Sequence, residues 1–174
     1  MKKLFYLLLI SLISFTLVTC NDDDDDLKGW KEENEVAYNA IAEKSAYKEI
    51  ETESGPSGVF YKALPNDKEK GLENPLQTSS VKVLYKGMYY DGSIFDAGTG
   101  DGEVPTEFST AGTVRGFSYA LQNMVVGDKW EIWIPWYLGY GNSGSVDPYT
   151  GRTVIKGYTT LVFEVELVEI TQYP

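Results

Sequence analysis

From Leu161 the chain alternates: Leu161, Phe163, Val165 and Leu167 share one face, and Val162, Glu164, Glu166 and Val168 the other. A period of two predicts a β-strand with one apolar face. The same pattern predicts shorter strands over Val59–Leu64, Val81–Tyr85 and Trp130–Ile134, the last ended by Pro135. Asp91-Gly92 marks a hairpin turn. Phe117, Leu121 and Met124 recur at i, i+4 and i+7, which predicts a helix over 115–124 with one apolar side, closed by Gly127-Asp128. A second helix is expected over 30–50, where Val36, Ala37, Ala40, Ile41 and Lys44 follow an i, i+4 rhythm and Glu32, Glu33 and Glu35 crowd the first turns. Ser54-Gly55-Pro56-Ser57-Gly58 breaks it. Its apolar stripe is narrow, so it packs on the domain or on a partner. The segments 65–75, 97–104 and 139–158 read as loops. Several antiparallel strands around one short helix define an α+β plan. Trp130 and Trp133 lie on opposite faces of one strand, so Trp133 is either covered by other structure or solvent-facing.

The first residues are of another kind. Met1-Lys2-Lys3 precedes an apolar run from Leu4 to Val18, interrupted only by Ser and Thr. That run is short for a membrane span and fits the core of a secretory signal over residues 1–19. It ends in Leu17-Val18-Thr19-Cys20, which resembles a bacterial lipobox and implies lipid attachment at Cys20, although Thr is unusual just before the cysteine. Asn21 and five consecutive aspartates, Asp22 to Asp26, follow. Such a block repels itself and predicts an extended acidic tether over 20–28, ahead of a helical extension at 29–54. In some Gram-negative lipoproteins an acidic run behind the cysteine signals surface display; a plain solvated linker explains the same residues.

Charge and composition narrow the chemistry. Cleavage after residue 19 removes Lys2 and Lys3 and no acid, which takes the formal net charge from −11 to −13. A chain this acidic is repelled by phosphate backbones, which excludes nucleic acid as a partner. Histidine is absent and Cys20 is the only cysteine. Ser-His-Asp and Cys-His catalysis are therefore excluded, no intramolecular disulfide can form, and neither a metal nor a cofactor is expected. Asp96-Ala97-Gly98-Thr99-Gly100-Asp101 lacks the ligand spacing of an EF-hand and is expected to be a loop.

Five segments then stand in order: Val83-Leu84-Tyr85-Lys86-Gly87, Asp91-Gly92-Ser93-Ile94-Phe95-Asp96, Val114-Arg115-Gly116-Phe117, Leu138-Gly139-Tyr140-Gly141 and Thr160 to Leu167. Together they resemble the FKBP-type peptidyl-prolyl isomerase domain, over residues 58–171. The resemblance implies a bent antiparallel sheet half-wrapped around one short helix. It implies a proline pocket with Phe117 as floor and Tyr85, Phe95, Phe108 and Phe163 as walls. Tyr140 and the Val114–Ile155 region would hold the substrate backbone. Asp96 would orient a tyrosine hydroxyl or act on the carbonyl. Its implied partners are proline-containing polypeptides and macrolide inhibitors; the lipobox adds an expected lipid anchor to the bacterial outer membrane, on its periplasmic or cell-surface face. The resemblance also implies a dimer through the N-terminal helix, as in the macrophage infectivity potentiators. The floor is usually Trp in the family. The loop after Tyr140 is longer here by Asp147-Pro148-Tyr149-Thr150, and Ile155-Lys156-Gly157-Tyr158 stands where Ile-Pro-Pro is usual. These departures favour, as alternatives, a catalytically weak binding module or chaperone on the same fold. A surface ligand-binding lipoprotein is the other alternative; it would use Trp30, Trp130, Trp133 and Trp136 as exposed platforms.

Overall fold

A computed structural model describes residues 22–172. Cys20 and the expected signal segment lie outside the described residues.

The centre of the molecule is β9 (Leu161–Gln172), whose alternating face runs the length of the sheet. It pairs antiparallel with β6 (Lys129–Ile134) on one side and β3 (Ser80–Met88) on the other. Outward from β6 lie β2 (Gly55–Ala63) and β1 (Lys48–Thr52); outward from β3 lie β4 (Ile94–Asp96) and β5 (Thr106–Ser109). The core gathers on one face of this seven-stranded sheet, beneath helix α2 (Arg115–Asn123). Phe117, Ala120, Leu121 and Met124 of that segment meet Ile132, Phe163, Val165 and Leu167. The predicted periods of two and 3.6 thus converge on one apolar volume, as the α+β plan requires.

The opposite face carries a second apolar row. Phe60, Trp133, Val162 and Met88 are successive partners across β2, β6, β9 and β3. Helix α1 (Asp22–Ala42) lies over it, with Ile41 and Ala37 against the row and the Tyr38 ring 5.6 Å from Phe60. Trp133 is therefore covered, at 8% exposure, while Trp130 is buried on the α2 side and stacked 4.1 Å from Tyr61. Two of the four tryptophans proposed as an exposed platform are core residues. Asn34, fully buried, ties the helix to the sheet: its Oδ1 accepts from the Thr160 amide (2.8 Å).

The structure differs from the sequence expectation at both ends of this helix. The helix begins at Asp22, so residues 22–26 belong to it where the sequence predicts an extended tether. It stops at Ala42, and Lys48–Thr52 is the edge strand β1 instead of a continuation to 50. Pairing with β2, burial of Ile50 and a bond from the Gly58 amide to Glu49 Oε1 (2.7 Å) outweigh the helical propensity of Lys-Glu-Ile-Glu. The expected 139–158 loop contains a small hairpin, β7 (Ser145–Val146) and β8 (Thr153–Ile155).

Near α1 one carboxylate has an unusual share of donors. Glu131 accepts from Lys62 Nζ (2.8 Å), Trp133 Nε1 (2.8 Å) and the Tyr47 hydroxyl. Burial opposes its charge, but these hydrogen bonds outweigh burial and hold its pKa below the ordinary 4.5. A depressed folded pKa adds stability that is present above the unfolded pKa and is lost as pH falls through the folded one. Glu131→Gln is expected to cost about 1–2 kcal/mol at pH 7. In urea unfolding the gap from the unsubstituted protein should narrow as pH falls below 4.5; a gap that stays constant as pH falls would refute the ion's role.

Candidate active site

Strand register creates a hollow. Across the α2 face, Phe163 of β9 lies opposite Gly87 of β3, and Gly87 in turn faces Asp96 of β4. Gly87 supplies no side chain, so the rings of Phe95 and Phe163 occupy the space above it. A Cβ there would meet Phe95 at 2.7 Å and Phe163 at 2.9 Å. Two residues back, Tyr85 points to the same face, as the pleat requires. Phe108 of β5 enters from the far side of β3, and α2 brings Phe117 up from below.

The rings pack edge to face, except for the tilted pair of Phe163 and Tyr85. Phe117 lies 4.9 Å from Phe163, Phe163 is 5.7 Å from Phe95 and 6.4 Å from Tyr85, and Phe108 is 5.4 Å from Tyr85 and 6.3 Å from Phe117. Each edge-to-face pair adds roughly 0.5–1.5 kcal/mol beyond its buried area, so the rings orient one another. They enclose about 220 Å³, lined also by Asp96, Gly112, Thr113, Val114 and Tyr140. That is small beside the roughly 300–1,000 Å³ of drug-sized sites and suits a single side chain.

Polar groups sit at the rim. Tyr85 donates its hydroxyl to Asp96 Oδ2 (2.8 Å), and the Gly98 amide donates to Asp96 Oδ1 (2.9 Å). One carboxylate thus fixes a pocket wall and the start of the 97–104 loop together. Gly98 adopts φ +63°, and a Cβ on it would stand 2.8 Å from the Tyr85 ring. Burial, then the bond to Asp96, pushes the Tyr85 phenol far above its ordinary pKa of 10. Burial and the nearby Asp96 charge likewise raise Tyr140, which is 42% exposed at the mouth. Both remain hydrogen-bond donors through the neutral range.

Eight of the nine pocket residues expected from the sequence meet here: Tyr85, Phe95, Asp96, Phe108, Val114, Phe117, Tyr140 and Phe163. Ile155 does not line the hollow. It is 2% exposed and packs into the core from β8, because the 145–155 hairpin turns its side chain inward. Gly87, Gly98, Gly112 and Thr113 were not singled out in the sequence. A glycine inside a strand, two residues beyond Tyr85 and on the same face, is the signal that marks the first. No cluster of three or more acidic, His or Cys side chains able to hold a metal occurs among the described residues.

An antiparallel sheet with one short helix on its core face, and an aromatic hollow between them, is the class of protein that the sequence resemblance implied. Residues 71–168, more than half of the chain, match the family model described as FKBP-type peptidyl-prolyl cis-trans isomerase. The chain belongs to that family. It is 40% identical over 117 residues to the FKBP-type 22 kDa peptidyl-prolyl cis-trans isomerase of Escherichia coli K12, covering 67% of this chain and 52% of that one. It is 32% identical over 115 residues to the outer membrane protein MIP of Legionella longbeachae, covering 66% and 45%. The chain thus spans about half the length of these relatives. A crystal structure of a peptidyl-prolyl cis-trans isomerase from Pseudomonas syringae pv. tomato superposes with TM-score 0.67 at 29% identity, over 83% of this chain and 96% of that one.

Proposed function

We propose that the protein is a peptidyl-prolyl cis-trans isomerase acting on secreted or envelope polypeptides, anchored outside the cytoplasm through a lipid on Cys20. The observation that supports the activity is the meeting of Tyr85, Phe95, Phe108, Phe117 and Phe163 around one hollow of single-side-chain size.

Rotation about an X-Pro bond faces a barrier of roughly 18–20 kcal/mol from amide resonance, and no covalent bond is broken. Catalysis therefore needs neither nucleophile nor cofactor. It needs a site that holds the twisted amide better than the planar one. The twisted amide has lost resonance and is less polar, so a hollow walled by rings and poor in water favours it. Phe117 and Phe163 grip the proline ring, and Tyr140 at the mouth donates to the substrate backbone. Asp96 acts through Tyr85, whose ring it fixes. Macrolides that mimic a prolyl amide occupy the same hollow.

The envelope location is supported by the apolar run before Cys20 and by the relative named as an outer membrane protein. Among the described residues no helix is long and apolar enough to cross a membrane. A dimer through α1 would use the outward side of that helix, where Val36 stands exposed among Glu32, Glu33 and Glu43.

The test is a coupled or NMR-exchange assay of X-Pro isomerisation with the purified protein. Acceleration above the uncatalysed rate is expected, reduced in Tyr140→Phe. The rate should be flat between about pH 6 and 9, because raised phenol pKa values keep Tyr85 and Tyr140 protonated there. Folded protein without catalysis across several X-Pro peptides would refute the proposal.

A further inference from the structure

Strand β4, which carries Phe95 into the pocket, is weakly held. It has three residues at the sheet edge and pairs only with β3, through two registered pairs and an irregularity. On the other flank of the mouth, the β7–β8 hairpin belongs to a separate two-stranded sheet. Among the described residues no strand pairing links the two flanks.

Trp30 of α1 touches both. Its ring lies 5.8 Å from Tyr89 and 5.6 Å from Tyr90, at the turn that leads into β4. Tyr89 in turn lies 5.2 Å from Phe95, and its hydroxyl donates to the Val154 carbonyl (3.4 Å). On its other side the Trp30 indole donates to Thr159 Oγ1 (3.1 Å), which donates onward to the Lys156 carbonyl (2.8 Å). Lys156 Nζ returns over the Trp30 ring at 5.4 Å. Glu33, three residues along the helix, accepts from the Tyr90 hydroxyl at 2.7 Å. One indole therefore joins the helix on the back of the sheet to both segments that flank the mouth.

We infer that Trp30 is a positioning residue for the prolyl pocket: through Tyr89 it sets Phe95, and through Thr159 it sets the end of the 145–158 loop. The inference rests on the isomerase reading for its kinetic consequence and on geometry alone for its structural one. A tryptophan that merely anchored α1 would affect global stability and leave substrate affinity untouched.

The experiment compares the full chain with Trp30→Ala, Trp30→Phe and, as control away from α1, Leu72→Ala, since Leu72 is 96% exposed. Segment-resolved amide hydrogen exchange reports local opening. In Trp30→Ala, exchange should rise at 89–95 and 156–160 while α2 and central β9 stay protected. KM for an X-Pro peptide should rise about five- to tenfold with a smaller change in kcat, as expected for a misplaced pocket wall. Trp30→Phe keeps a ring against Tyr89 and loses the indole N–H, so only 156–160 should loosen, with KM largely restored. Wild-type protection at both segments, or a uniform loss of protection with KM unchanged, overturns the inference. If Trp30→Ala does not fold, the exchange pattern of Trp30→Phe decides. If the unsubstituted protein shows no isomerisation, the isomerase reading falls and the exchange pattern still tests the brace.

Discussion

Phe163→Ala is expected to lower kcat/KM by about 30- to 100-fold, equivalent to roughly 2–3 kcal/mol of transition-state stabilisation. Phe163 is the hub of the pocket, packed edge to face on Phe117 and Phe95 and tilted against Tyr85, and its β9 position places it opposite Gly87. Removing it takes away one wall and lets water into the hollow, which weakens the preference for a less polar, twisted amide. Truncation of a buried Phe also costs about 3–5 kcal/mol of stability. Here the cost belongs at the low end, because one side of the ring already faces the cavity. A domain with an ordinary margin of about 5–15 kcal/mol stays folded at low temperature, where the rate is best measured. Near-ultraviolet circular dichroism checks the fold. A folded Phe163→Ala protein with unchanged kcat/KM would show that catalysis does not pass through this hollow.

The parts of the site that rest on periodicity were legible in the sequence. The alternation through β9 and the i, i+4, i+7 face of α2 are long enough to declare their inner sides, so Phe163 and Phe117 read locally as inward-facing, while their pocket role came from the resemblance. Phe108 came from the resemblance, because β5 has four residues and too few repeats to show a period. Strand β1 was hidden by its composition. Lys48, Glu49 and Glu51 favour a helix locally, and only the pairing with β2 makes a strand there. The second apolar face was half visible. Trp133 and Val162 stood on the outward side of their strands, but nothing local said that α1 would fold back over them. Gly87 was the largest omission, because its role is an absence whose meaning depends on the residue across the ladder.

Gly87→Ala is the complementary experiment, since it fills what Phe163→Ala empties. The backbone at Gly87 is ordinary strand geometry and is not among the positive-φ glycines, so alanine meets no conformational penalty there. The obstacle is the rings. A Cβ would sit 2.7 Å from Cε2 and Cζ of Phe95 and 2.9 Å from Cε1 of Phe163, too near for either to stay in place. Phe163 has α2 behind it, so Phe95 on the short edge strand β4 is the ring that gives way, toward the hollow. Overpacking of this kind costs about 1–3 kcal/mol of stability. The functional loss should be larger in proportion, because the displaced ring occupies the substrate's volume: kcat/KM is expected to fall about 10- to 100-fold, mainly through KM. Coupling then separates shape from mere damage. In Gly87→Ala/Phe163→Ala the new methyl group points into space that the missing ring vacates, so the paired loss should be smaller than the sum of the single losses. Full additivity in kcat/KM and in unfolding free energy would mean that the two positions do not share one cavity, and the register-built hollow would have to be abandoned.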